Sequence, residues 1–502
     1  MMVLGGATAC TDFIEIDPEN KVPEQGVDFT NKNNMYQPVV GAYSKVRTQG
    51  MHWCNALLMF TRDGDVWSGR TDDQGDAVAF GRKFNYNNSF WALNQVWMNF
   101  YDIIRITNAA LQSLDGYAEY LAAGSEDYKT YESYCGEVRT IRAWAYYCLV
   151  TNFGPTVIYR DNLQTDFRRS TVEAVYNYML EDLNYAIDKL PRMRPNQMEH
   201  KGAVTAFTAQ ALAARIYLLK GDYAQVETLT DDIIKNGGFR LYDDFYQLFK
   251  IPGKLCDESL FECQVTDYGN GSGDYLGVDQ WFNFQGPNMA ERYDEVGNAD
   301  GTISYKQAEG TKSIGGWNFI GYEPEFVAWA EARGEGVRAE TSFLKALSKT
   351  REGWQVGPTS ATKTDCWNGK GYLTYNQMTR TRTTYGANNN VRIIRYAEVL
   401  LMNSEAKVRL GKDGDAGYNE VRRRAGMSTK TGVTLKDVMD ERRMELCGEW
   451  CARYVDLVRT GDAATVLGPK GWTAEKTYWP IPANQLDDLP DLKLEPIDGI
   501  AE

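Results

Sequence analysis

The sequence predicts a mostly α-helical protein that contains helix pairs and one irregular, loop-rich region. Apolar residues recur at helical spacing through several long stretches. By contrast, residues 266–390 hold 18 of the 46 glycines and no long periodic apolar run. Hydrophobic residues make up 43% of the 502 positions, which is ample for a sizeable core.

The first helices are predicted from one-sided apolar patterns. Residues 97–114 (WMNFYDIIRITNAALQSL) keep one apolar face, and residues 136–150 (GEVRTIRAWAYYCLV) form another helix that ends at the NFGP of 152–155. Ser170 and Glu173 resemble a capping box, with Ser170 as the cap of a helix that runs to Leu190.

Two helix pairs follow from spacing and turn residues. The first covers 204–219, which is rich in alanine, and 223–235, with Gly221 and Asp222 in the turn. The second covers 393–410 and 415–425. Pairs of this length resemble tetratricopeptide-type units, which stack into a scaffold.

Composition excludes several classes of function. The net charge is −14, which argues against nucleic acid or anionic lipid headgroups as partners, because binding to phosphates depends on clustered Lys and Arg. The chain has two histidines, His52 and His200, and lacks GxSxG, GxxxxGK[ST], HExxH and CxxC motifs. Its nine cysteines show no metal-ligand spacing. No catalytic constellation is recognised, and no cofactor is expected.

The N-terminus indicates membrane attachment through a lipid. Residues 1–10 (MMVLGGATAC) form an apolar run that ends in small residues before Cys10, as at the end of a lipoprotein signal, so Cys10 is the predicted lipid acceptor. Residues 11–34 are predicted to be a tether. No stretch approaches the roughly 18 apolar residues of a membrane-spanning helix.

The stretch 441–462 (ERRMELCGEWCARYVDLVRTGD) is predicted to be one helix with a ladder of opposite charges three and four residues apart. A glycosidase-like carboxylate pair is the alternative. It is disfavoured because each acid has an arginine within reach, which lowers the pKa of a carboxyl. These charges are therefore expected to stabilise the fold and not to contact a ligand.

Six segments together resemble the SusD/RagB family. The 441–462 stretch matches the C-terminal signature of that family. The other matching segments, in chain order, are 97–108 (WMNFYDIIRITN), 134–155 (YCGEVRTIRAWAYYCLVTNFGP), 395–406 (RYAEVLLMNSEA), 421–426 (VRRRAG) and 478–485 (YWPIPANQ).

The resemblance implies a cell-surface lipoprotein of the outer membrane that is not an enzyme. It implies binding of an oligo- or polysaccharide and its delivery to a SusC-like TonB-dependent transporter. The implied fold has tetratricopeptide-like pairs in a scaffold at 35–265 and 391–502, and a ligand-binding half at 266–390.

Candidate ligand residues are chosen because sugar faces pack on aromatic rings while hydroxyls need amide, carboxylate or guanidinium partners. Rings flanked by Gly, Asp, Asn or Gln are preferred over rings in apolar runs. The predicted set is Asp65, Trp67, Arg70, Asp72, Asp73, Tyr275, Asp279, Trp281, Phe282, Asn283, Trp317, Trp367 and Asn368.

Several alternatives remain open at this point. The ligand is a peptide in some proteins of this family type. A surface glycoside hydrolase and a purely structural helical-repeat adaptor are the other two classes. The Asp-rich loop 63–76 could also bind calcium through its oxygen ligands, although its spacing is not that of an EF-hand.

Overall fold

The computed structural model describes residues 26–68, 75–265, 277–358, 365–373, 388–450 and 452–501, with the backbone alone at 277–280 and 452. Within these ranges the protein is mostly helical, as predicted. The helices are α1 Gln37–Lys45, α2 Trp53–Phe60, α3 Gly75–Ala77, α4 Trp91–Ala118, α5 Glu126–Phe153, α6 Val172–Lys189, α7 Ala206–Lys220, α8 Tyr223–Asn236, α9 Phe245–Leu248, α10 Gly277–Gln285, α11 Pro324–Ala332, α12 Gly336–Ser342, α13 Tyr396–Arg409, α14 Asp415–Arg424, α15 Leu435–Glu445, α16 Ala452–Thr460, α17 Ala463–Leu467 and α18 Ala483–Asp488.

Short strands occupy mainly the second half of the chain. They are β1 Val66–Trp67, β2 Ser259–Cys263, β3 Met289–Ala290, β4 Tyr293–Gly297, β5 Ile303–Gln307, β6 Ser313–Ile314, β7 Gly321–Tyr322, β8 Phe343–Lys345, β9 Gln355–Val356, β10 Cys366–Asn368 and β11 Val391–Arg395. They form sheets in the orders β1-β7-β10-β8, β6-β3-β9, β4-β5 and β11-β2.

The long helices form one continuous row. Each of α4 to α7 packs against the next helix in the chain, and α13 packs against α8 although residues 237–395 separate them in sequence. α14 and α15 then pack against α13. The two predicted helix pairs are α7 with α8 and α13 with α14, so both belong to the same scaffold.

A buried two-stranded ribbon closes the long insertion between α8 and α13. β2 and β11 pair antiparallel, with Cys263 opposite Val391 and Ser259 opposite Arg395. Both strands are fully buried. The ribbon ends near residues 266 and 390, where the glycine-rich region begins and ends in the sequence. That region is less irregular than predicted, because its described part contains α10–α12 and β3–β10.

Two predicted helix starts need correction. The helix expected from residue 393 begins at Tyr396, because Val391–Arg395 pairs with β2 instead. The cap of α6 is Thr171 and not Ser170: the Thr171 hydroxyl accepts the Ala174 amide at 3.3 Å. Ser170 instead forms an isolated antiparallel bridge to Thr156.

The 441–462 stretch is two helices and not one. α15 ends at Glu445, and Gly448 adopts φ +68°, a left-handed conformation that turns the chain before α16. This break removes most of the predicted local ladder, although Asp456 and Arg459, three residues apart, still pair at 2.6 Å. The arginines and acids of this stretch make mostly distant ion pairs, such as Arg459 with Glu405 and Arg443 with Asp65.

The N-terminal segment joins the body at the C-terminal end of α4. The Phe29 ring packs edge-on against Tyr117 with 5.0 Å between ring centroids, and Lys32 pairs with Asp127 at 2.5 Å. α4 has 28 residues, so its two ends are about 40 Å apart at 1.5 Å per residue. Trp91, at the other end of this helix, is part of the site described next.

Candidate functional site

Most of the predicted ligand-binding side chains that the structure describes are buried, although they were chosen for the loop-like character of their sequence neighbours. Asp65, Trp67, Trp281, Phe282, Asn283, Trp367 and Asn368 each expose 5% or less of their surface. Trp317 is half-buried. Cys10, Arg70, Asp72, Asp73 and Tyr275 lie outside the described residues, as does the side chain of Asp279.

The acidic-loop residues are held by arginines. Two nitrogens of Arg443 donate hydrogen bonds to the Asp65 carboxylate, and the Nε–Oδ2 distance is 2.7 Å. The Trp67 ring lies under the Arg82 guanidinium, 4.1 Å from the ring centroid, while Arg82 pairs with Glu323. Both residues therefore have internal partners in this structure.

The other buried candidates sit in close-packed sheet and helix contacts. Asn368, in β10, donates to the Gln285 side chain and the Gly448 carbonyl, both at 2.9 Å, and accepts the Tyr322 hydroxyl at 3.1 Å. The Trp281 ring packs against Trp450 with 5.2 Å between centroids. The polar and glycine neighbours of these rings therefore reflect close packing of short elements. Ligand contact by these residues stays an untested prediction.

A cluster of partly exposed aromatic rings lies elsewhere, and we call Trp53, Trp91 and Trp317 the tryptophan platform. The Trp53 ring is central, with its centroid 5.6 Å from Trp91 and 6.1 Å from Trp317 at interplanar angles of 61° and 76°. Trp91 is 54% exposed, and the other two are half-buried. Large apolar rings at a surface are a common feature of binding sites.

Buried rings support the platform from below. Phe284 lies 5.1 Å from Trp53, and Phe319 stacks on Phe284 at 4.6 Å. Both phenylalanines are buried. The platform is therefore continuous with the main core and is held in place by it.

Two glycines make close approaches that position the platform. A Cβ at Gly316 would lie 2.3 Å from the Gly286 and Pro287 carbonyl oxygens, so only glycine allows the segment before Trp317 to lie against residues 286–287. The Trp317 amide then donates to the Asn283 carbonyl at 2.7 Å. Similarly, a Cβ at Gly50 would lie 2.7 Å from the buried Trp144 ring, in the turn that leads into α2.

Helix N-termini present the other two rings. His52 caps α2, because its Nδ1 accepts the Cys54 amide at 3.2 Å, and Trp53 is the first residue of that helix. Trp91 is the first residue of α4. The preceding turn is held by Asn88, whose carbonyl accepts the Ala483 amide at 2.9 Å.

The segments that carry the rings also carry uncharged amides and a hydroxyl. Asn85, Asn87, Asn88, Ser89 and Asn288 are exposed, and Asn94, Gln95 and Asn318 are partly exposed. Each amide side chain carries both donors and acceptors, which suits the hydroxyl groups of a sugar. Aromatic rings together with such groups can stack on the apolar face of a sugar ring and form hydrogen bonds with its hydroxyl groups.

Four carboxylates of the 441–462 stretch, those of Glu441, Glu445, Glu449 and Asp456, form ion pairs with arginines. Arg395 Nη1 lies 2.7 Å from Glu445 and 2.8 Å from Glu258, and its Nε lies 2.6 Å from Glu449. Burial alone would raise the pKa of Glu445, but Arg424, Arg395 and Arg338 outweigh it and lower that pKa to about 2. We call Glu258, Arg395, Arg424, Glu445 and Glu449 the buried ion cluster.

Two further observations concern the described residues alone. No helix among them combines the length and apolar character that crossing a bilayer requires. Their His, Cys, Asp and Glu side chains form no group of three or more that could hold a metal ion. Residues 69–74 of the Asp-rich loop lie outside this set, so calcium binding there remains a prediction.

Two family models match the chain in its two halves. The "SusD family" matches residues 278–474, and "Starch-binding associating with outer membrane" matches residues 12–218. The chain belongs to the SusD family. This confirms the resemblance found in the sequence.

A curated relative and two solved structures agree with this assignment. A SusD-like protein of Bacteroides ovatus is 25% identical over 73% of this chain and 65% of its own length. A laminarin-binding SusD-like protein has a TM-score of 0.73 at 23% identity, covering 92% of this chain and 98% of that one. Surface glycan-binding protein A of Bacteroides thetaiotaomicron, in complex with laminarihexaose, has a TM-score of 0.72 at 21% identity, covering 91% and 97%. All three are named as SusD-like or binding proteins and not as enzymes.

Trp53 and Trp91 were missed in the sequence, although a signal for them was present. Trp91 follows NYNNSF, and Trp53 follows QGMH, so both meet the criterion of polar or glycine neighbours that selected Trp317. Trp91 precedes the periodic face of α4, and Trp53 opens the apolar run of α2, which made both rings resemble core residues.

Proposed function

We propose that this SusD-family chain is a surface glycan-binding protein and that the tryptophan platform is its ligand site. The observation that carries the proposal is Trp91, a tryptophan 54% exposed within a cluster of three, each of which can stack on a sugar ring. A single exposed ring such as Tyr120 is ordinary on a protein surface, whereas a cluster of large rings there is typical of a binding site.

The comparisons support the ligand class. One solved structure that shares this fold is named for laminarin binding, and another contains laminarihexaose. Another, with a TM-score of 0.74 at 18% identity, contains a xylogluco-oligosaccharide. These names differ in their sugars, so the proposal for this chain stops at glycan.

We further propose that the protein is anchored at the outer membrane through Cys10 and delivers its glycan to a SusC-like TonB-dependent transporter. The name of the N-terminal family model supports the location. Metabolic labelling with a palmitate analogue tests the anchor: wild type should be labelled and Cys10→Ala should not. Co-purification of a TonB-dependent transporter from the native host tests the partner.

Glycan binding is tested by affinity electrophoresis and titration calorimetry against laminarin, xyloglucan, arabinoxylan, galactomannan and starch. Trp91→Ala, Trp53→Ala and Trp317→Ala should each weaken binding of the retained glycan about tenfold or more, which is ~1.4 kcal/mol. Tyr120→Ala is the matched control, because Tyr120 is an exposed aromatic residue near the opposite end of α4.

The outcomes separate the alternatives. Retention that depends on the three tryptophans and not on Tyr120 supports the proposal. If a glycan is retained and none of the three substitutions alters its retention, the binding site lies elsewhere on the protein. Absence of retention by every glycan, together with binding of a peptide, would replace the proposal with the peptide-binding alternative.

A further inference from the structure

The four segments that build the platform contain no charged side chain. They are residues 48–61, 84–101, 281–290 and 313–322, which supply Trp53, Trp91, Phe284 and Trp317 respectively, and none holds an Asp, Glu, Lys or Arg. Charged residues make up 24% of the chain, so about a quarter of these positions would be charged at the average composition. Buried positions account for part of this lack of charged residues, but the exposed positions of the four segments are uncharged too.

The exposed polar residues of these four segments are all neutral amides and hydroxyls. Asn85, Asn87, Asn88, Ser89 and Asn288 are exposed, yet none carries a charge. On an ordinary protein surface such positions are frequently Lys, Glu, Asp or Arg. A surface that is exposed, aromatic and free of charge differs from both the core and the rest of the exterior.

His52 does not supply a cation either. Burial lowers the pKa of His52 below its usual value of 6.5, and its Nδ1 accepts the Cys54 amide, which requires that nitrogen to be unprotonated. Its ring stacks against Trp53, with 5.8 Å between centroids. At neutral pH the histidine therefore contributes an uncharged ring to the platform.

Among the described residues, the charged side chains next to these segments include both acids and bases. α18 packs on α4 through a Gln485–Asn94 hydrogen bond of 2.9 Å and ends in two exposed acids, Asp487 and Asp488. The residues that immediately flank the four segments carry both signs: Arg47, Arg62, Lys83, Asp102, Glu291, Lys312 and Glu323. Arg62 among them is buried between the Tyr454 and Trp479 rings.

We infer that the platform takes an uncharged glycan and discriminates against glycans that carry carboxylate or sulfate groups. The inference rests on the proposed glycan-binding function and narrows its ligand class. An anionic sugar would lose hydration on the aromatic surface and find no arginine or lysine on the platform segments to replace it. The net charge of −14 adds repulsion at long range, although salt screens it beyond about 8 Å.

The test compares matched neutral and anionic probes on the full chain. Laminarin and sulfated laminarin share one backbone, as do methyl-esterified and de-esterified polygalacturonan; xyloglucan, arabinoxylan, alginate and chondroitin sulfate extend the panel. Titrations with wild type and Trp91→Ala are run at two salt concentrations. We expect binding of at least one neutral glycan that depends on Trp91 and is independent of salt, and at least tenfold weaker binding of every anionic probe.

Failure of this inference differs from failure of the proposed function. Binding of an anionic probe that depends on Trp91 and is as tight as that of any neutral probe overturns the inference and leaves glycan binding intact. If no probe of either kind binds in a way that depends on Trp91, the proposed function fails, and the inference fails with it.

A gain-of-charge variant tests the same point from the other side. Asn88→Lys places one cation at an exposed position three residues before Trp91. Asn88→Gln is the control that keeps an amide there. If missing cations limit anion binding, Asn88→Lys should bind sulfated laminarin several-fold more tightly than wild type and lose that gain at high salt. An unchanged affinity for the sulfated probe in Asn88→Lys would contradict this explanation of the discrimination.

Discussion

The buried ion cluster and the tryptophan platform use opposite chemistry for opposite purposes. In the cluster, Arg395 meets three carboxylates at 2.6–2.8 Å, and the charges are removed from water. In the platform, no charged side chain is present in the four segments, and Trp91 is left exposed. Side chains with complete internal partners hold the fold together, while side chains left without them at the surface are available to a ligand.

The largest expected effect comes from breaking the cluster. Arg395→Met leaves the Glu258, Glu445 and Glu449 carboxylates with fewer counter-charges in a buried place, which should cost about 3–5 kcal/mol of unfolding free energy, measured by urea denaturation. Arg240→Met is the control, because its side chain is 74% exposed beside Asp257 and should change stability little. Equal effects of the two variants would contradict the structural role of the cluster.

Trp281 is a buried tryptophan, so its substitution can be compared with substitution of the partly exposed platform tryptophans. Its ring is 3% exposed and packs on Trp450 and Phe60, so Trp281→Ala should lower the unfolding free energy by about 3–5 kcal/mol. Glycan affinity of the folded protein should stay within about twofold, as read by calorimetry below the unfolding transition. A loss of affinity without a loss of stability would restore Trp281 to the ligand site that the sequence predicted.

Glu137 is a buried carboxylate whose observed partners are hydroxyls, and it sharpens the contrast with the cluster. It accepts the Tyr43 and Tyr36 hydroxyls at 2.8 and 3.3 Å, and burial raises its pKa to about 7. Because the folded pKa lies above the unfolded value near 4.5, the stability that Glu137 contributes is complete at low pH and is lost as pH rises through 7.

Glu137→Gln should remove this loss of stability at high pH. The amide oxygen still accepts both hydroxyls, so the variant should be roughly 1–3 kcal/mol more stable than wild type at pH 8, and the difference should shrink by pH 5. The difference between variant and wild type isolates this group from others that titrate near neutrality, such as Asp63 and Lys250. A constant difference from pH 5 to pH 8 would argue against titration of Glu137 in this range.

The smallest expected effect is at the platform itself. Its segments hold no Asp, Glu, Lys or Arg, and burial lowers the pKa of His52, so glycan affinity should change less than about twofold between pH 6.5 and pH 8. Calorimetry at both pH values measures this. A steep change would mean that a titrating group takes part in binding.

The scaffold could be predicted from sequence because its signals are local. Apolar periodicity found α4 and α5, the cap pattern at residues 170–173 indicated α6, and Gly221 with Asp222 located the α7–α8 turn. The break inside 441–462 was missed because Gly448 is one residue among strong helix formers. The pairing of Arg395 with Glu258, Glu445 and Glu449 joins positions far apart in the chain, and local spacing says nothing about such contacts.

The site was harder to predict because exposure is a property of tertiary packing. Trp317, Trp281 and Trp367 have similar polar and glycine neighbours in sequence, yet only Trp317 of the three is partly exposed. Strand β10 lies between β7 and β8, which covers Trp367, while α10 packs Trp281 against Trp450. Neither contact could be read from the residues beside each ring.

The length of α4 separates the proposed ligand site from the place where the N-terminal segment docks. Trp91 opens this 28-residue helix, and the N-terminal segment docks beside Tyr117 near its end, so the two are separated by about 40 Å. A polymer captured at one pole would be held well away from whatever the leader of the chain is attached to at the other. If Cys10 carries the anchor, as we propose, the long helix would keep a bound polysaccharide away from the point where the N-terminal segment joins the body.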